Sequence, residues 1–186
     1  VFILLLNITF APSNILSWDV FGYYLYLPAI FIYDDLALQN IGWVNQIIAQ
    51  YGNTATLYQA VEQPEGNWVM KYSAGMAILY LPFFLIGHLI AHFTSYSADG
   101  FSLPYQYAIL VGGMLYTVAG FVYLRKVLLQ FFSDITVAVT LPAIFLGTNL
   151  LFHTAMYGQN AMSHNFLFGI YAAILWLTVQ WHRSHQ

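Results

Sequence analysis

The sequence contains no cysteine and very little charge. Without cysteine there is no disulfide and no thiolate metal ligand. Lysine and arginine together number 4, and aspartate and glutamate 7, in 186 residues. A soluble domain carries about a quarter charged residues. Here the share is 6%, against 60% hydrophobic residues and a mean hydropathy of +0.67. So few charges cannot cover a water-facing surface, and lipid is the expected solvent for much of the chain. The net charge of −3 gives no reason to expect nucleic acid as a partner, since its binding needs basic patches. The sequence opens at Val1 inside an apolar run, and neither the charged start nor the small-residue cleavage site of a signal peptide is seen there. We therefore expect residues 1–186 to be a single transmembrane domain, the N-terminal part of a larger polytopic protein.

The few charges are unevenly placed. Arg125-Lys126 and Arg183 each end a long uncharged run, whereas five acids lie between Asp19 and Glu65. Basic residues at span ends mark the cytoplasmic side. The apolar residues 1–11 read as the outer end of a first span, broken at Pro12-Ser13-Asn14. Residues 18–71 then form an external loop rich in tyrosine and tryptophan, which favour the headgroup level. Within it, residues 20–50 are expected to hold one or two short interfacial helices. Ile41, Val44, Ile47 and Ile48 form one stripe, with Asp35 as its N-cap. Residues 52–70 read as irregular loop. Four uncharged runs follow, at 72–94, 104–124, 135–152 and 165–182, each long enough to cross about 30 Å of hydrocarbon. The fold class this implies is an all-α polytopic membrane helical bundle with interfacial helices in its first external loop.

The run at 72–94 conflicts with that topology, since a full crossing there would put residues 18–71 on the cytoplasmic side. Pro82 lies in its middle and removes one helical hydrogen bond. A segment bent near Pro82, with both ends nearer the outer face, resolves the conflict, and a plain crossing is the alternative.

Asp19 stands alone at the expected membrane exit. A carboxylate at a dielectric boundary can serve as a base, and an acid just before Val20 can equally cap a helix. Lys71 is the sole lysine or arginine before Arg125. It suits an anionic phosphate, or it snorkels to the interface. The polar patch at 148–164, with Asn149, Gln159, Ser163 and His164, reads as the hydrogen-bonding wall of an outward cavity. His153 and His164 lack the i,i+4 spacing of a helical ligand pair, and no carboxylate lies near them. His88 and His92 have that spacing but no third ligand in sequence.

An acid past a first span, followed by Gly22-Tyr23-Tyr24-Leu25-Tyr26, resembles the first external loop of GT-C type membrane glycosyltransferases, among them protein O-mannosyltransferases and lipid A aminoarabinose transferases. The family's Asp-Glu pair reads Asp19-Val20 here. Its Lys-Pro-Pro-Leu motif reads Lys71-Tyr72-Ser73-Ala74, and the acid often found after a later span has Ser163-His164 in its place. The resemblance implies a polyprenyl-phosphate-linked sugar as donor and transfer outside a bacterial cytoplasmic membrane; with the family's second acids missing here, no cofactor is expected, and a divalent metal is the alternative. Asp19 would be the catalytic base. Lys71, Tyr23, Tyr24, Asn149, Gln159, Ser163 and His164 would bind substrate. A transporter or flippase fragment is the rival reading, since broken helices and sparse polar groups also mark transporter sites.

Overall fold

The computed structural model describes residues 14–155 and 159–184, without the Gln159 side chain. The expected end of a first span, at 1–11, lies outside the described residues. The chain is mostly helical. It divides into two compact units, one of residues 13–111 and one built on residues 112–186.

The first unit opens with three short helices, α1 (Trp18–Tyr24), α2 (Tyr26–Phe31) and α3 (Ile41–Tyr51), one more than the sequence suggests. The α3 stripe is as expected, with Trp43, Val44 and Ile47 buried. Its cap is not. Asn40 accepts from the Gly42 N–H at 3.2 Å. Asp35 lies too far upstream to cap the helix. Its carboxylate instead closes the preceding turn, accepting from the Gln39 and Asn40 N–H groups and from Trp43 Nε1.

Residues 52–70 contain a small hairpin where irregular loop was expected. Strand β1 (Ala60–Glu62) pairs antiparallel with β2 (Trp68–Met70), in the register Ala60 to Met70. The proline and glycine that suggest a loop form its turn, with Gly66 at φ 84°, a conformation most side chains resist.

Helix α4 (Gly75–His92) is one continuous helix with Pro82 inside it, so of the expected bend or break the break does not occur. Tyr80 and Phe84 on its buried face pack with Tyr24, Phe101 and Tyr105. Ile78, Leu85, Ile86, Leu89 and Ile90 face outward. Helix α5 (Leu103–Leu128) meets α4 closely at Gly87, where a Cβ would lie 2.8 Å from Tyr105 Cα. Small residues at such contacts let apolar helices approach to backbone distance.

The second unit holds the end of α5, then α6 (Asp134–Gly147), α7 (Asn149–Ala155), a 3₁₀ turn (Gln159–Ala161) and α8 (Ser163–Ser184). α6 and α7 form one run bent by 69°. The run expected as one span at 135–152 is therefore two helices, and the break falls at Thr148 and not at Pro142, which α6 carries internally. The Thr148 hydroxyl donates to the Ile144 carbonyl at 2.8 Å and accepts from the Leu150 N–H at 3.2 Å. Gly113 and Gly120 of α5 form a seam against the segment around Asn160 and α8. A Cβ at Gly120 would lie 2.5 Å from Phe168, and one at Gly169 would lie 2.6 Å from the Tyr116 carbonyl.

Among the described residues, α4 and α5 are long and apolar enough to cross a membrane, with mean hydropathies of 1.6 and 1.7, and the α6–α7 pair counts as a third span if taken as one. The outward stripe of α5 is Val111, Leu115, Val118 and Val122, spaced as one helix face and bare of polar groups. Such a stripe suits contact with lipid. α8 covers the fourth expected run but falls short of the same apolarity.

Candidate functional site

Asp19 lies in the first turn of α1, where the cap position belongs to Ser17. Its carboxylate caps nothing. Oδ1 accepts from two phenols, Tyr58 Oη at 2.7 Å and Tyr72 Oη at 2.6 Å. Among the described residues no group bonds to Oδ2. Two short charge-assisted bonds on one oxygen hold the carboxylate in a single orientation.

Each partner is placed by a different local device. Tyr58 precedes β1. Tyr72 follows β2, and the Lys71 N–H donates to the Gln59 carbonyl at 2.9 Å, extending the pairing beyond the strands. The hairpin thus brings residues 58 and 72 side by side over α1. The Tyr72 ring fits there because residue 22 is glycine, where a Cβ would lie 2.5 Å from the ring and 2.8 Å from Gln59. Tyr23 meets the same ring edge-on at 4.5 Å, and Tyr26 Oη donates to the Tyr72 carbonyl at 2.5 Å.

Trp18, next to Asp19, has φ +53°. A left-handed backbone costs a residue with a side chain roughly 1–2 kcal/mol. It is held by two buried amides. The Trp18 N–H donates to the Asn53 carbonyl at 2.8 Å, and Gln59 Nε2 donates to the Trp18 carbonyl at 2.9 Å. Asn53 Nδ2 also reaches the Leu16 carbonyl at 2.6 Å. The indole is left 61% exposed beside the carboxylate.

Lys71 joins this cluster. It is exposed, its Nζ lies 6.0 Å from the centre of the Tyr58 ring, and it forms no ion pair among the described residues. Partial burial, and then the Asp19 bond and charge, push the Tyr58 phenol up to about 12 and raise Tyr72 for the same reasons. Both phenols therefore stay protonated donors at neutral pH. A carboxylate with one oxygen unbonded among the described residues, two fixed phenols and an exposed ammonium can accept a proton from a hydroxyl and neutralise an anion.

Of the residues picked from sequence, Asp19, Lys71 and Tyr23 meet in this cluster. Tyr24 does not. It is fully buried, with its hydroxyl donated to the Gly100 carbonyl at 2.5 Å, and serves the core. Asn149, Ser163 and His164 belong to the other unit. Asn149 is exposed at the head of α7, Ser163 opens α8, and the His164 ring lies 4.5 Å from that of His153. The Gln159 side chain lies outside the described residues.

Sequence reasoning missed Tyr58, Tyr72, Gly22 and Gln59. It also passed over Asp99, which accepts from the Phe101 and Ser102 N–H groups and from Tyr51 Oη at 2.6 Å. His88 and His92 do pair, Nε2 to Nε2 at 3.1 Å, but no group of three or more metal-ligating side chains occurs among the described residues. No known protein-family profile matches this chain, and no curated protein and no solved structure matches it.

Proposed function

We propose that this chain is part of a polytopic membrane glycosyltransferase that moves a sugar from a polyprenyl-phosphate donor to an acceptor hydroxyl on the outer face of a bacterial cytoplasmic membrane. The observation that carries the reading is the Asp19 carboxylate, fixed through one oxygen by Tyr58 and Tyr72, with its other oxygen unclaimed among the described residues and Lys71 beside the Tyr58 ring. Asp19 takes the acceptor's proton. The acceptor oxygen then bonds to the anomeric carbon as the bond from that carbon to the phosphate oxygen breaks, with inversion. Lys71 balances the charge that builds on the departing lipid phosphate.

The packing of α4 supports an external site. Residues 14–71 bond to the chain at both ends of this helix, through Asp19 to Tyr72 before its start and through Tyr51 to Asp99 after its finish. At 18 residues, α4 is about 27 Å long. If it crossed the bilayer, one polar layer would have to reach both faces. An α4 lying along the outer face keeps Asp19, Lys71 and Asp99 in water together, and Arg125 then ends α5 inside, in keeping with the positive-inside rule.

The test is Asp19→Asn in the full-length protein, assayed for transfer of radiolabelled sugar from the lipid donor. Asparagine still accepts from a tyrosine, so folding is kept, and loss of a general base costs about 10²–10⁴-fold. Asp34→Asn, at an exposed turn, should leave transfer intact. Equal activity in Asp19→Asn and wild type removes the reading.

The bent α6–α7 pair favours a second reading, a transporter or flippase for a lipid-linked or small polar substrate, because discontinuous helices line such sites. Movement of intact donor across proteoliposomes, with no bond broken, distinguishes it.

A further inference from the structure

Three of the chain's four lysines and arginines meet at one end of the second unit, and the cause lies some distance away, in glycine. Gly120 and Gly169 let α5 and α8 touch along their backbones. That contact brings the last turns of the two helices together. Lys126 of α5 then reaches across to α8, its Nζ 5.6 Å from the centre of the Trp176 ring and 5.3 Å from that of Tyr123. Gln130 ties the two ends. Its Nε2 donates to the Lys126 carbonyl at 3.0 Å, and its Oε1 accepts from Arg183 of α8. Arg125 is already paired, at 3.0 Å with Asp134.

This leaves Lys126 and Arg183 as exposed cations without a carboxylate partner among the described residues. Close to them in the chain are exposed apolar side chains that water does not favour. Phe131 is 66% exposed, Phe132 55% and Trp181 63%. A soluble phosphate would be met by the cations alone and would gain nothing from these rings. A lipid headgroup is met by both, with its phosphate between the cations and its glycerol and upper acyl carbons against the rings.

The geometry points to a binding site for an anionic phospholipid headgroup, formed by Lys126 and Arg183 across Gln130, at the C-terminal ends of α5 and α8. It rests on the membrane reading of the chain and is independent of the Asp19 chemistry. Trp176 and Tyr123 hold the Lys126 ammonium by cation–π attraction, which limits its freedom before lipid arrives. The Gln130 bridge does the same for the Arg183 guanidinium.

The experiment uses the purified protein in nanodiscs of phosphatidylcholine containing a minor fraction of phosphatidylglycerol, followed by identification of the lipids it retains on release. Wild type should be enriched in phosphatidylglycerol. Lys126→Gln and Arg183→Gln should each lower that enrichment about fivefold, the effect expected for one basic residue near a charged surface. The charge-keeping double variant Lys126→Arg, Arg183→Lys should retain it. Phosphatidylglycerol at its bulk proportion in wild type, or equal enrichment in the Gln variants, overturns the proposal. Loss of enrichment on adding soluble glycerol phosphate also overturns it, because the site would then read phosphate and not lipid. Failure to enter pure phosphatidylcholine nanodiscs is a separate result, which removes the membrane reading and this proposal with it.

Discussion

The Tyr72 hydroxyl reaches Asp19 across 53 residues of chain, and its ring lies where a side chain on residue 22 would stand. Gly22 is therefore part of the site although it carries no chemistry. Gly22→Ala should displace Tyr72 and destabilise the protein by about 1–3 kcal/mol, the usual cost of overpacking. Urea unfolding followed by tryptophan fluorescence measures this. An unchanged midpoint would mean the ring moves aside freely and does not orient Asp19.

A second prediction concerns alkaline pH. The Tyr58 phenol is raised from its ordinary 10.0 to about 12, by burial first and by Asp19 second. Its bond to Asp19 needs the proton. The stabilisation is complete below the unfolded value, near pH 10, and is lost as pH climbs through about 12. Phenolate absorbance in Tyr58→Phe should show one residue fewer titrating in that upper window than wild type. A missing residue near pH 10 instead would contradict the Asp19 bond.

The third separates backbone from side chain at Trp18. Both Trp18→Gly and Trp18→Ala remove a mostly exposed indole, but glycine accepts φ +53° freely and alanine does not. The glycine variant should be more stable than the alanine variant by about 1–2 kcal/mol. Equal unfolding midpoints would show that the clamp by Asn53 and Gln59 is not holding a strained backbone.

A fourth prediction follows from the placement of α4. The chain has no cysteine, so single cysteines can be introduced cleanly at Glu62 in β1 and at Tyr96 beyond the end of α4, both exposed. Both should react with an impermeant reagent added outside intact cells. Labelling of one before permeabilisation and of the other only after it would mean that α4 crosses the bilayer.

Asp19 and Lys71 were legible in the sequence because isolated charges in an apolar chain must be accounted for. Their surroundings were not. Tyr58 is 39 residues and Tyr72 53 residues from Asp19, and only the hairpin brings them together. Short strands with weak alternation, such as Ala60–Glu62, give almost no periodic signal. The α3 stripe was legible, while its cap depended on how the chain turns between Asp35 and Asn40. Tyr24 was misplaced for a general reason. An amphipathic ring looks the same in sequence whether its hydroxyl meets substrate or, as here, the carbonyl of Gly100.

Pro82 and Pro142 each remove a backbone donor, yet the helices containing them continue. The chain changes direction at Thr148, where nothing in the covalent structure forces it to. There one hydroxyl serves both sides of the corner, donating backward to Ile144 and accepting forward from Leu150. In hydrocarbon an unpaired backbone group costs several kcal/mol. Such a corner is set by where bonds can be remade, more than by where they are lost. Thr148 is in effect a mitre joint, and it lets an apolar run turn through 69° with one hydroxyl bonded on each side of the corner.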